Sequence, residues 1–169
     1  MRIFKEEQRF NQVWLILLMV VSAIVPISIY VKEYTENPDG FSRLELIGLI
    51  FLILFASSFI FLFKLTTRID EKGIHYQFFP FHWSLKIIKW NEINNAYVRT
   101  YDPLGEYGGW GLKGGLLWNK AKGKAINVSG DIGIQLILKN GKKLLIGTQK
   151  QEEAKNIIAT YKTKIIANV

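Results

Sequence analysis

The amino-acid sequence predicts an α+β membrane protein: a two-helix transmembrane hairpin, then a bent antiparallel sheet of about seven strands capped by a C-terminal helix. Three observations predict it. Two charge-free apolar runs, Val13 to Val31 and Leu46 to Phe63, follow one another near the N-terminus. From Leu65 onward the apolar pattern changes to the two-residue period of strands. The last segment returns to helical spacing.

The first run reads VWLILLMVVSAIVPISIYV and the second LIGLIFLILFASSFIFLF. A helix crosses the hydrocarbon core with about 20 apolar residues, so spans are expected at about 13–31 and 44–64 after a short N-terminal tail. Trp14, Tyr30 and Phe41 stand near span ends, where aromatic rings favour the interface. Pro26 comes late in the first span, and a kink is tolerated inside lipid. A cleaved signal peptide needs a shorter apolar run with a small-residue cleavage site, and Ile29-Tyr30-Val31 offers none. Ser22, Ala23, Ala56, Ser57 and Ser58 are small enough to let the helices pack closely.

Charge sets the expected orientation. Residues 1–64 hold six basic and six acidic residues, so the whole net charge of +8 lies in 65–169. Arg2, Lys5 and Arg9 precede the first span, and Lys64, Arg68 and Lys72 follow the second. The loop between them carries only Lys32 and Arg43 beside four carboxylates. Basic flanks stay cytoplasmic, which places both termini inside a bacterial inner membrane and the Asn37-Pro38-Asp39-Gly40 turn outside. Neither span has an ionisable residue near its middle, which argues against a proton relay or ion path.

Residues 65–169 read as one cytoplasmic domain. Ile74, Tyr76 and Phe78 alternate with His75, Gln77 and Phe79, and strands are expected also at Leu85 to Trp90 and Ala96 to Tyr101. Asn140-Gly141 between apolar runs is a strong hairpin signal; as a two-residue turn it sets Leu136 opposite Leu145 and Ile137 opposite Leu144. Thr148 to Gln151 fits a capping box. Ala154, Ile157, Ile158, Tyr161 and Ile165 then form one helical stripe, expected to pack on the sheet.

The order of these elements resembles the pleckstrin-homology superfold, as found in bacterial membrane-anchored PH-like proteins of unknown function. The resemblance is carried by Gly73-Ile74, by Ile88 to Ile93, by Glu106-Tyr-Gly-Gly-Trp-Gly, by Asn127-Val-Ser-Gly130 and by Lys139 to Thr148. It covers about residues 66–164 and implies the fold but no chemistry. Phosphoinositide-binding members carry a basic first hairpin; here that turn is Asp70-Glu-Lys-Gly73, which argues against inositol phosphates.

Little in the sequence points to catalysis. The chain has no cysteine, which excludes disulfides, thiolate metal sites and cysteine nucleophiles. His75 and His82 are the only histidines, and surface roles suit them better than zinc. Gly109 to Gly114 matches G-x-G-x-x-G, but a nucleotide site needs a strand before it and a helix after it. Asp102 and Glu106 flank the glycines in what Pro103 and Gly105 make a loop. No catalytic residues, metal or cofactor are assigned.

Two features suggest binding. Phe78-Phe-Pro-Phe-His-Trp83 holds four aromatics, too apolar for a free loop; Phe78, Phe79, Phe81 and Trp83 either dip into the headgroup layer or pack as core. The second feature is Lys113, Lys120, Lys122 and Lys124 interleaved with Trp110 and Trp118, suited to a solvated face or anionic headgroups. A ligand or partner surface is expected at Tyr107, Gly109, Trp110, Gly111 and Lys113, with Arg99 and Lys89 on neighbouring strands. The expected function is a non-enzymatic, membrane-tethered binding or scaffold protein. Its partners would be the bilayer and a protein or second copy, not nucleic acid. The alternatives are a structural subunit of a larger membrane complex and a nucleotide-binding protein using Gly109–Gly114.

Overall fold

The computed structural model describes residues 2–37, 40, 42–114 and 123–166, the last two by backbone only. The chain is α+β and divides into two units, one formed by Phe10–Phe63 and the other by the flanking segments on both sides of it.

The inserted unit is a pair of helices, α1 (Val13–Glu36) and α2 (Arg43–Ser58), with a single 3-10 turn at Phe59–Leu62. Helix α1, and α2 taken together with the 3-10 turn as Arg43–Leu62, are long and apolar enough to cross a membrane. Helix α1 runs past the expected end at Val31 through Lys32 and Glu36, which pair one turn apart at 3.7 Å. The start of α2 is set by a complete capping box between Ser42 and Glu45, which satisfies two amides otherwise left open at a helix start. Inside the helices Ser22, Ser28 and Ser58 return their hydroxyls to carbonyls of the preceding turn. The two helices pack on one another, with Ala23 buried. Large apolar side chains face outward all round, among them Leu17, Leu44 and Phe51. Pro38, Asp39 and Phe41 lie outside the described residues.

Among the described residues the second unit contains nine strands in two sheets. The first sheet has the order β1-β2-β3-β4, formed by Phe4–Arg9, Lys64–Asp70, Gly73–Phe79 and Lys86–Lys89. The second has the order β5-β8-β9-β7-β6. Its strands are β5 (Ile93–Thr100), β6 (Gly111–Gly114), β7 (Lys124–Asn127), β8 (Ile132–Leu138) and β9 (Lys143–Gly147). This differs from the expected seven-stranded antiparallel sheet in two ways. There are two sheets, and β7 pairs with β9 in parallel, through a crossover the apolar pattern did not signal. Helix α3 (Pro103–Tyr107) joins β5 to β6, and helix α4 (Gln151–Ile166) closes the chain.

Strand β1 lies in the segment expected to be an N-terminal tail. It pairs antiparallel with β2 along its whole length, from Phe4 opposite Ile69 to Arg9 opposite Lys64. Its inward side chains are Phe4, Glu6 and Gln8, all buried, so two of three core-facing positions are polar and hydrophobic alternation cannot reveal it. The polar pair is matched from across the fold. Thr148 donates its hydroxyl to Glu6 Oε2 at 2.6 Å, the Gln149 amide donates to Oε1 at 2.7 Å, and Gln8 donates to the Gly147 carbonyl. The approach to α4 is therefore anchored by Glu6 rather than by the expected Thr148–Gln151 box; Thr148 itself accepts from the Lys150 amide.

Helix α4 packs against β1, β5, β8 and the Trp90–Glu92 turn. Ala154, Ile157, Ile158 and Tyr161 are buried along one stripe, and the Tyr161 ring stacks on Trp90 at 5.4 Å while its hydroxyl reaches the Arg2 carbonyl. The Ile165 side chain lies outside the described residues. Leu65, Ile69, Ile74 and Phe78 from the first sheet and Ile126, Ile134, Leu136 and Ile146 from the second complete the apolar interior.

The β8–β9 turn also corrects the expected register. Leu136 faces Leu144 and Gln135 faces Leu145. The Leu138 carbonyl accepts from Gly141, and the Leu138 amide donates to the Lys142 carbonyl. This closes a three-residue loop with Gly141 at φ 78°, rather than a two-residue one, and moves every pairing by one position.

Candidate functional site

Asp102 accepts from the Leu104 amide at the start of α3, and Pro103 occupies the first helical position, where its missing N–H costs nothing. The segment expected to be a loop is therefore a short helix. It ends on Gly108 at φ 70°, whose amide returns to Leu104. Helix α3 aims Glu106 and Tyr107 at strand β5. Arg99 donates to both Glu106 oxygens, at 3.0 and 2.7 Å, to Gln135 Oε1 at 3.1 Å and to the Tyr107 hydroxyl at 3.4 Å. The hydrogen bonds to Glu106 hold the guanidinium pKa above its ordinary value, against its partial burial.

Tyr101 and Tyr107 meet edge to face at 5.9 Å over Ala125 and Leu145. Burial pushes both phenols to higher pKa. Asn127 donates to the Tyr101 hydroxyl at 2.8 Å and accepts from the Gly111 amide at 2.9 Å. Trp110 donates its indole N–H to the Gly130 carbonyl at 2.9 Å. The structure thus gathers Arg99, Tyr107, Trp110 and Gly111 from the sequence-derived set into one network. Gly109 is buried and Lys113 sits on edge strand β6. Lys89 stands apart at the end of β4, where its amide donates to Glu92.

The partners that complete this network are Tyr101, Glu106, Asn127 and Gln135. Glu106 and Asn127 carried a sequence signal, as a carboxylate beside the glycines and as part of Asn127-Val-Ser-Gly130. Gln135 carried none, since it is a buried polar residue inside an apolar strand. The network's polar groups are directed at one another, and they tie α3 and β6 to the second sheet.

The glycine segment does not stand in the nucleotide-binding context. Gly109 follows a helix, and Gly111–Gly114 is itself a strand. Gly114 has φ 124°, and a Cβ there would come within 2.4 Å of the Lys124 Cα. Gly123 has φ 82°, and a Cβ there would reach the Lys143 carbonyl at 2.3 Å. These glycines admit close backbone approach. Trp118, Lys120 and Lys122 lie outside the described residues. Among the described residues no three of His, Asp and Glu come together as a metal-binding group.

The aromatic segment divides. Phe78 is 1% exposed and belongs to the core, whereas Phe81 is 59% and Trp83 83% exposed. Phe79 is half-buried and meets Trp83 edge to face at 5.8 Å; Phe81 stacks on Phe78 at 6.0 Å. The peptide between Phe79 and Pro80 is cis. His82 holds the turn in shape: its amide donates to the Phe78 carbonyl at 2.8 Å, and its Nδ1 accepts from the Phe78 amide at 3.2 Å. Gln77 spans the turn to the carbonyls of His82 and Trp83. Burial first, then the charges of Lys86 and Lys124, keep the His82 pKa below its ordinary value.

The sheet register fixes where this turn lies. Phe79 pairs with Lys64, and Lys64 pairs with Arg9. Arg9 and Lys64 are the residues at which the chain leaves the sheet for the helices and returns from them. The turn that carries the two exposed rings therefore follows the end of the sheet at which Arg9, Lys64 and Phe79 are paired. At the other end Asp70 is buried in the β2–β3 turn, bound by the Lys72 amide at 2.9 Å, by His75 at 3.1 Å and by Arg68 at 3.1 Å.

The chain matches no protein-family model and no curated protein.

Proposed function

We propose that this protein is a membrane-tethered binding protein without catalytic activity. Its two helices span a bacterial inner membrane as a hairpin, and its PH-like domain lies on the cytoplasmic side with the Phe81–Trp83 turn against the bilayer surface. The spanning reading is supported by the outward-facing apolar side chains of both helices, which exceed what a soluble monomer exposes. The PH-like reading is supported by two sheets followed by a closing C-terminal helix.

The observation that carries the surface reading is the register Arg9–Lys64–Phe79. Two strands that share a sheet cannot lie on opposite sides of a membrane, so a hairpin inserted between them returns to the side it left. The basic flanks then select the cytoplasmic side. Trp83 and Phe81 are the amphipathic and apolar rings that headgroup regions favour.

The test uses the absence of native cysteine. A nitroxide is placed at Ser84→Cys in the aromatic turn or at Glu71→Cys in the β2–β3 turn, with the full chain in lipid nanodiscs. The expected result is relaxation by lipid-soluble oxygen at Ser84 and by an aqueous relaxant at Glu71. Equal aqueous accessibility at both positions contradicts the reading.

A further inference from the structure

We propose that His82 is an acid-released latch: the neutral ring holds the Phe81–Trp83 turn to strand β3, and protonation of the ring frees the turn. The latch lies wholly within the β3–β4 connection, so it acts whether or not the turn meets a membrane.

The strand pairing shows what the ring replaces. Strands β3 and β4 are paired only as far as Tyr76 opposite Lys86. Beyond that pair His82 supplies the next rung by itself. Its amide donates to the Phe78 carbonyl at 2.8 Å, and its Nδ1 accepts from the Phe78 amide at 3.2 Å. The imidazole thus stands where a carbonyl of the neighbouring strand would. A backbone amide can only donate, so Nδ1 carries the lone pair and the proton of the neutral ring sits on Nε2. Protonation puts an N–H on Nδ1, facing the Phe78 N–H, and the rung becomes two opposed donors. Phe78 is 1% exposed, and an amide stripped of its acceptor in such a place is unfavourable.

The groups that face the ring give the new charge no partner. On β3, Tyr76 meets it edge to face at 5.6 Å. On β4, Lys86 is the cross-strand neighbour of Tyr76. Lys86 and, from β7, Lys124 act on the ring as like charges. His75, at the other end of β3, is held in the opposite sense. Its Nε2 lies 3.1 Å from the Asp70 carboxylate, a contact that protonation strengthens. Mild acid therefore loosens one turn of β3 and tightens the other. In the freed turn, Phe81 and Trp83 lose the fixed placement that their contacts with Phe78 and Phe79 record.

The test keeps the full chain in phosphatidylcholine nanodiscs, with a nitroxide at Ser84→Cys in the turn or at Lys162→Cys on the exposed side of α4. Label mobility is followed from about pH 8 to about pH 5, beside the His82 ring nitrogens by NMR. The Ser84 label is expected to gain mobility with the midpoint of the His82 titration, and the Lys162 label to stay unchanged. The ratio of freed to latched turn should rise by up to about tenfold per pH unit below about pH 6.5, the signature of one proton taken up. His82→Asn keeps an acceptor near the Nδ1 position with nothing to titrate, and should hold the turn at every pH. His82→Ala should leave it mobile at every pH.

A Ser84 response that survives in His82→Asn assigns the pH sensitivity to other groups and overturns the latch. So does a His82 ring that titrates while the Ser84 label stays fixed, or one that remains neutral throughout the range. Equal mobilisation at Ser84 and Lys162 means that the domain unfolds as a whole, and overturns a local release.

Discussion

Arg9 faces Lys64 across the β1–β2 ladder, so the whole helical insertion begins and ends on neighbouring residues of one sheet. The segment before the helices is thereby part of the domain that follows them. Replacing Phe10–Phe63 by an Asn-Gly turn between Arg9 and Lys64 should give a chain that melts cooperatively without lipid. A chain starting at Leu65 should be less stable than that one by more than about 3 kcal/mol, because it lacks Phe4, Glu6 and Gln8 from the core. Urea unfolding of the two measures the difference, and equal stability would contradict the role given to β1.

Glu6 carries much of that contribution. Its carboxylate is buried and receives the Thr148 hydroxyl and the Gln149 amide. Glu6→Ala leaves both donors unmatched and should cost about 1–3 kcal/mol, whereas Glu6→Gln retains one acceptor and should cost less. Hydrogen exchange in the first turn of α4 should rise in the Ala variant.

Why β1 escapes a reading of the sequence is visible in these same residues. Phe-Lys-Glu-Glu-Gln-Arg directs a carboxylate and an amide inward, and the groups that match them lie more than a hundred positions later. Helices α1 and α2 were legible as continuous apolar runs, and α4 by an apolar stripe that repeats locally. The Asn140-Gly141 turn was legible as a turn but not in length, since two-residue and three-residue loops both use glycine at positive φ. Of the candidate site, the exposed rings were legible by composition. Gln135 was not, because a lone buried amide inside an apolar strand meets Arg99 only once β5 pairs with β8.

Asp70 links stability to acid. Burial raises its pKa, but the Lys72 amide, His75 and Arg68 outweigh this and hold it below the usual carboxylate value. A depressed folded-state pKa means stability that is present above the unfolded value near 3.9 and is lost as pH falls through the folded one. Asp70→Asn should therefore lower stability near neutral pH by about 1–2 kcal/mol. The difference from wild type should shrink below about pH 4, as measured by urea unfolding across pH.

His82 offers a second link between stability and pH. Its pKa lies below the usual histidine value through burial, Lys86 and Lys124, so its contribution is present above about pH 6.5 and is lost as pH falls through the folded value. Lys124→Gln should move the His82 titration upward, read by NMR against His75, the only other histidine. An unchanged midpoint would place Lys124 away from the aromatic turn.

The glycines separate by what surrounds them. Gly114→Ala brings a Cβ onto the Lys124 backbone at positive φ and should cost more than about 3 kcal/mol. Gly141→Ala has the same backbone constraint with nothing within 4 Å and should cost only about 1 kcal/mol. Thermal melts of the two variants measure the contrast.

The central claim is a membrane-spanning hairpin with the sheet on the cytoplasmic side. It is tested most directly with single cysteines at Asn37→Cys, beyond α1, and Glu71→Cys, in the β2–β3 turn, labelled in intact bacterial cells by a membrane-impermeant thiol reagent. The account predicts labelling at position 37 before lysis and at position 71 only after it. Labelling of both from outside, or of position 71 alone, would contradict it.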